Sequence, residues 1–74
     1  MSTKPTPLDL DRPAAHLREL SGLTPTELAI ARGVARPSVY DAEGIGERIS
    51  VGALRRLAEA AGFELFLALK RKST

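Results

Sequence analysis

Three prolines fall twelve residues apart, at Pro13, Pro25 and Pro37, each near the start of a stretch with helical apolar spacing. Proline suits the first turn of a helix, where its missing N–H would have no partner anyway. Glycines close the same stretches, with Gly22 after Ser21, Gly33 before Val34 and Gly62 after Ala61. Glycine takes the left-handed conformation that commonly ends a helix. Punctuation this dense predicts a chain of short helices. The residues flanking the three prolines do not match one another, so the spacing is not an internal repeat.

Between these marks the apolar residues set the elements. A first helix is predicted over about 13–20, with Ala14, Leu17 and Leu20 as its stripe. A second opens at Thr24. Thr24-Pro25-Thr26-Glu27 has the form of a capping box, in which the threonine hydroxyl accepts from the N–H of Glu27 and the Glu27 carboxylate reaches back. Leu28 and Ala29 are expected to face inward, with Ala31 beside them. The short turn Gly33-Val34-Ala35 leads to a third helix over about 36–43. Residues 44–49 read as a loop. Ser50 caps a fourth helix over about 51–61, with Leu54, Leu57, Ala58 and Ala61 on one face. Leu28, Val39, Leu54 and Leu57 are the expected core.

The final segment changes period. Phe63, Leu65, Leu67 and Leu69 share one side of an extended chain, with Phe66 on the other. Leu and Ala also favour a continued helix. The stop at Gly62 and the two phenylalanines favour the strand. A lone strand has no partner in a helical chain, and an unpaired apolar edge invites another chain. The expectation is a two-fold homodimer in which Phe63, Leu65, Phe66, Leu67 and Leu69 form the dimerisation strand.

Size supports the same expectation. A chain of 74 residues is one domain and buries only about 60% of its unfolded surface. Disulfides, metals, helix packing or a partner chain are the usual remedies. There is no cysteine, and His16 is the only histidine, so neither a metal nor a cofactor is expected. His16 is assigned to the surface of the first helix. No apolar run approaches the roughly 18 residues of a membrane helix, and residues 1–12 carry Lys4, Pro5 and Pro7 in place of an apolar leader. They are read as a flexible arm in a cytoplasmic protein. The net charge is +2, but Lys70, Arg71 and Lys72 contribute three positive charges, so the rest of the chain sums to −1. A catalytic pocket needs more convergent polar groups than this chain contains, so an enzyme is not expected.

A helix, a turn of three or four residues containing glycine, and a second short helix form the helix-turn-helix pattern. Here it is TPTELAIARGVARPSVYDAE, residues 24–43. This segment resembles the XRE/Cro-like helix-turn-helix family, whose pattern is approximately T-Q-x-E-L-A-x-x-x-G-V-S-x-x-x-I-S-x-x-E. Thr24, Glu27, Leu28, Ala29, Gly33, Val34, Val39 and Glu43 fall where that family has the same or similar residues, without a gap. LRELSGLT before it and ISVGALRRLAEAAGFEL after it extend the resemblance to about fifty residues. The ending FELFLALKRKS is similar to that of HipB-like antitoxins, in which a C-terminal strand pairs across the dimer. The resemblance implies a mainly α fold: a four-to-five-helix lambda-repressor-like DNA-binding domain at 13–62, with residues 63–74 forming a β-strand that pairs across a homodimer, and a basic tail. It implies a repressor that binds double-stranded operator DNA, autoregulates its operon and binds a cognate toxin.

The roles expected of single residues follow. The third helix would enter the major groove by its N-terminal end. Arg36 can address guanine O6 and N7 with two hydrogen bonds. Ser38 can donate to phosphate or base, Tyr40 offers a hydroxyl or a stacking face, and Asp41 can accept from cytosine N4. Thr24, Thr26 and the open N–H groups of the second helix can hold a phosphate. Arg48 and Arg32 can add contacts to the DNA backbone. Arg55-Arg56 is expected on the solvent side of the fourth helix, facing DNA or an acidic partner. The resemblance also implies an ion pair between Arg18 and Glu43, which could orient the arginine toward a phosphate.

The chain departs from the pattern in four places. Pro25 stands where the family has a glutamine that touches phosphate or base, and Pro37 sits at the groove-facing tip, where it can make only apolar contact. Ala35 replaces a serine or threonine cap, a change costing about 1 kcal/mol. Arg32 takes a position that is usually apolar or small. Pro25, Ala35 and Pro37 favour an alternative of another class, a protein-interaction antitoxin module without DNA binding. A stand-alone phage or chromosomal repressor is a third reading.

Overall fold

The computed structural model describes residues 4–73. Among them are four α-helices, α1 (Pro13–Ser21), α2 (Pro25–Arg32), α3 (Arg36–Ile45) and α4 (Val51–Ala60), with a 3-10 turn at Gly46–Arg48 between α3 and α4. The fold is mainly helical. Each of the first three helices carries proline in its first turn.

Local chemistry sets most of the boundaries. At the start of α2, Thr24 Oγ1 accepts from the Glu27 N–H at 3.1 Å and the Thr24 N–H donates to Glu27 Oε1 at 2.9 Å. At its end Gly33 adopts φ +77°. The Gly33 N–H then reaches the Ile30 carbonyl and the Val34 N–H the Ala29 carbonyl, so the last carbonyls of the helix are satisfied. The start of α4 is capped by Ser50 Oγ, which accepts from the Ala53 N–H at 3.1 Å. Its end closes through Gly62 and the Phe63 N–H, which donates to the Ala58 carbonyl at 2.8 Å.

The third helix runs past its expected end. Gly44 stays helical, and the chain turns at Gly46, where φ is +63° and ψ is −130°. Only glycine enters that region readily, and a side-chain carbon there would also meet the Asp11 carbonyl at 3.1 Å. Part of the expected loop is therefore helix and 3-10 turn.

Ala14, Leu17, Leu28, Ala29, Val39, Leu54, Leu57 and Ala58 are buried, with Leu28 and Val39 each 1% exposed. All four helices contribute, and among the described residues none that is buried is polar or charged. Leu20 and Ala31, expected to face inward, are exposed instead. Each lies at the end of a short helix, where the stripe has rotated off the core.

Both ends of the chain differ from expectation. Leu8 packs against the core and the Asp9 N–H donates to His16 Nδ1 at 2.8 Å. His16 is thus half-buried and tethers the incoming chain. Arg12 makes two bonds to Glu19, at 2.8 and 2.9 Å, and lies 3.5 Å from Asp9. The latter half of the expected flexible arm is docked on α1; residues 1–3 lie outside the described residues. At the other end no strand is present among the described residues. After Phe63 the chain forms no regular element. Leu65 rests on the core, while Phe66, Leu67 and Leu69 are exposed. A ladder needs a second strand, and the single chain supplies none.

Candidate nucleic-acid interface

The α2–turn–α3 unit presents most of the residues expected to meet DNA. Arg36 and Pro37 occupy the first two positions of α3, and Ala35 before them forms no side-chain cap. Pro37, Tyr40, Asp41 and Gly44 follow one another at three- and four-residue spacing on the outer face. Arg36, Pro37, Ser38, Tyr40 and Asp41 are all exposed, Tyr40 to 53%. Ser38 lies on the flank nearer α4, beside Ala42. Arg48 is exposed at the end of the 3-10 turn.

The inner face holds α3 in place. Val39 fills the core, and Glu43 receives the Arg18 guanidinium through two bonds, Nε to Oε2 at 2.8 Å and Nη2 to Oε1 at 3.3 Å. The third nitrogen of Arg18 donates to the Leu23 carbonyl at 3.4 Å. One guanidinium thereby joins α1, the α1–α2 corner and the end of α3. The side chains are 23% and 17% exposed. The hydrogen bond that Arg18 donates to Glu43 raises the pKa of Arg18 above the usual arginine value, against a smaller lowering by burial. The corner is tightened by Ser21, whose hydroxyl donates to the Arg18 carbonyl at 2.6 Å and accepts from the Leu23 N–H at 3.1 Å. Three of the five N–H donors of Arg18 are thus spent on Glu43 and Leu23, within the fold.

The start of α2 is occupied. Pro25 has no N–H, the Glu27 N–H is bonded to Thr24, and the Thr24 N–H is bonded to the Glu27 carboxylate. The Thr26 N–H remains, beside a negative charge. That charge is held firmly, because the Thr24 backbone bond lowers the pKa of Glu27 below the usual carboxylate value. The Glu27 carboxylate thus takes the Thr24 N–H, and the exposed Thr26 keeps its N–H and hydroxyl. Nothing comparable blocks the start of α3.

Sequence reasoning missed the contacts of Asp9 and Arg12 with α1. The seven-residue step from Arg12 to Glu19, two helical turns, was the available signal. Among the described residues no group of three histidine or acidic side chains is placed to hold a metal, and no helix is long and apolar enough to cross a membrane. Compared with known proteins, the chain matches no family model, no curated protein and no solved structure at significance.

Proposed function

We propose that this protein is a sequence-specific DNA-binding transcriptional repressor, acting as a homodimer and serving as the antitoxin of a toxin–antitoxin operon. The observation that carries the reading is the exposure of Arg36 at the start of α3 and of Tyr40 and Asp41 one turn later, while Val39 and Glu43 hold the helix to the body. A helix so held can lie in a major groove and present donors and acceptors to base edges. Arg36 reads guanine, Arg48 meets the DNA backbone, and the exposed apolar residues Phe66, Leu67 and Leu69 pair with a second copy as an antiparallel strand. Half-sites then lie about one helical turn apart.

The test is a gel shift and footprint on the DNA upstream of the protein's own gene, at low salt. A retarded complex with paired protections is expected. Absence of retardation with dimeric protein rejects the reading. Arg36→Ala should lose roughly 1–3 kcal/mol of base discrimination per half-site. Leaving the DNA affinity and sequence preference unchanged would remove Arg36 from the interface.

One observation favours the second reading, a protein-interaction module without DNA binding. Pro25 leaves the start of α2 one N–H short, and Ala35 gives the start of α3 no side-chain cap. Under this reading the protein co-purifies with a neighbouring gene product and binds no DNA at any salt concentration.

A further inference from the structure

A small pit opens between the end of α2, the inner flank of α3 and the middle of α4. Its volume is about 130 Å³. Val34, Ala42, Ala53 and Leu57 line it, and Arg32 and Arg56 both border it. A shallower depression continues outward past Ala31, Glu59 and Ala60, sharing the same two arginines. Neither arginine takes part in an ion pair among the described residues, whereas Arg12 and Arg18 are both paired. The pit combines an apolar wall with two guanidinium groups that form no ion pair among the described residues, although Glu59 stands at the outer rim.

The chemistry of this wall selects the occupant. A cavity on the order of 150 Å³ accommodates a benzene ring, so this pit takes one aliphatic or aromatic side chain and is too small for a typical small-molecule site. The arginines call for carboxylates, which they can grip with paired hydrogen bonds. A phosphodiester backbone gains nothing from Val34, Ala42 and Leu57, whereas a peptide can seat an apolar side chain on them. We propose that this pit docks an acidic segment of a partner protein, one apolar side chain entering between Val34 and Leu57 while neighbouring carboxylates pair with Arg32 and Arg56. Ser38 and Arg32, two of the candidate DNA contacts, border the pit, so a DNA duplex is the control that separates the two roles.

The experiment is an NMR titration of the full-length ¹⁵N-labelled chain. The probe is a blocked pentapeptide of sequence Asp-Glu-Leu-Asp-Glu. Its controls are Asn-Gln-Leu-Asn-Gln, Asp-Glu-Ala-Asp-Glu, inorganic phosphate and a short DNA duplex. The acidic leucine peptide is expected to shift the amides of Val34, Ser38, Ala42 and Ala53 and the side-chain Nε–H signals of Arg32 and Arg56. The amide and alanine controls should bind markedly more weakly. Replacing both arginines, R32Q with R56Q, should weaken the probe about tenfold. A53L, which fills the pit without changing charge, should abolish the shifts. If A53L does not fold, the arginine pair decides. Equal binding of the amide control, or equal shifts with phosphate or duplex, overturns the proposal. So does movement of the same signals with protein concentration alone, which would assign the pit to the tail of a second copy through Glu64 and its apolar neighbours.

Discussion

The bond between Arg18 and Glu43 should be a principal tie holding α3 to the body, and its strength can be measured. Glu43→Ala removes the acceptor of two hydrogen bonds, at 2.8 and 3.3 Å, and leaves the guanidinium with the Leu23 carbonyl alone. Fully exposed pairs contribute about 0–1 kcal/mol, and breaking a buried one costs about 3–5 kcal/mol. At 23% and 17% exposure the pair lies between, and about 2 kcal/mol is expected for the single substitution. A domain of this size has about 4–11 kcal/mol in total, so the melting temperature should fall by about 8–16 °C. Thermal and urea melts of wild type, Arg18→Met, Glu43→Ala and the double variant, each at several protein concentrations, give the coupling energy. It should reach about 1 kcal/mol and survive added salt, because screening weakens exposed pairs far more than partly buried ones. A coupling within the usual additivity error of about 0.3–0.5 kcal/mol would refute the reasoning and reduce the contact to an ordinary surface pair.

Four further outcomes are expected. Leu28→Ala should destabilise the chain by about 2–5 kcal/mol, enough to leave a measurable unfolded fraction at room temperature by circular dichroism. Thr24→Ala should cost about 1 kcal/mol in the same melts. The lowered pKa of Glu27 means that its support is present above the unfolded carboxylate range and is lost as pH falls through the folded value; Glu27→Gln should therefore flatten the acid limb of the stability curve. Leu67→Asp with Leu69→Asp should leave the melting of a monomer unchanged but dissociate a strand-paired dimer, which analytical ultracentrifugation separates cleanly.

The parts of the fold legible in the sequence are those decided within a few residues. Thr24 and Glu27 at one end of α2 and Gly33 at the other are local signals, and Ser50 and Gly62 frame α4 in the same way. The end of α3 was not local. Gly44 and Gly46 look equivalent in sequence, and only the folded chain shows that Gly46 takes the positive φ, with the Asp11 carbonyl where a Cβ would stand. The docking of Asp9 on His16 likewise needs the path of the incoming chain, which composition does not encode. At the candidate interface, the tetrapeptide 24–27 declared its helix cap, because Thr24 and Glu27 are three residues apart and tethered to each other. The alternation of residues 63–69 was visible, but pairing requires a second chain.

The lopsided burial of α3 has a consequence for how such a protein changes over generations. Seven of its ten residues face solvent and only Val39 is fully buried. Together with the Arg18–Glu43 tie, that one side chain fixes the helix from the inside. Substitutions at Arg36, Pro37, Ser38, Tyr40 and Asp41 are therefore nearly silent for the architecture. Preference for a partner can drift or be redesigned at those five positions while the scaffold stays the same, so a library confined to them would sample new specificities without first having to rescue folding.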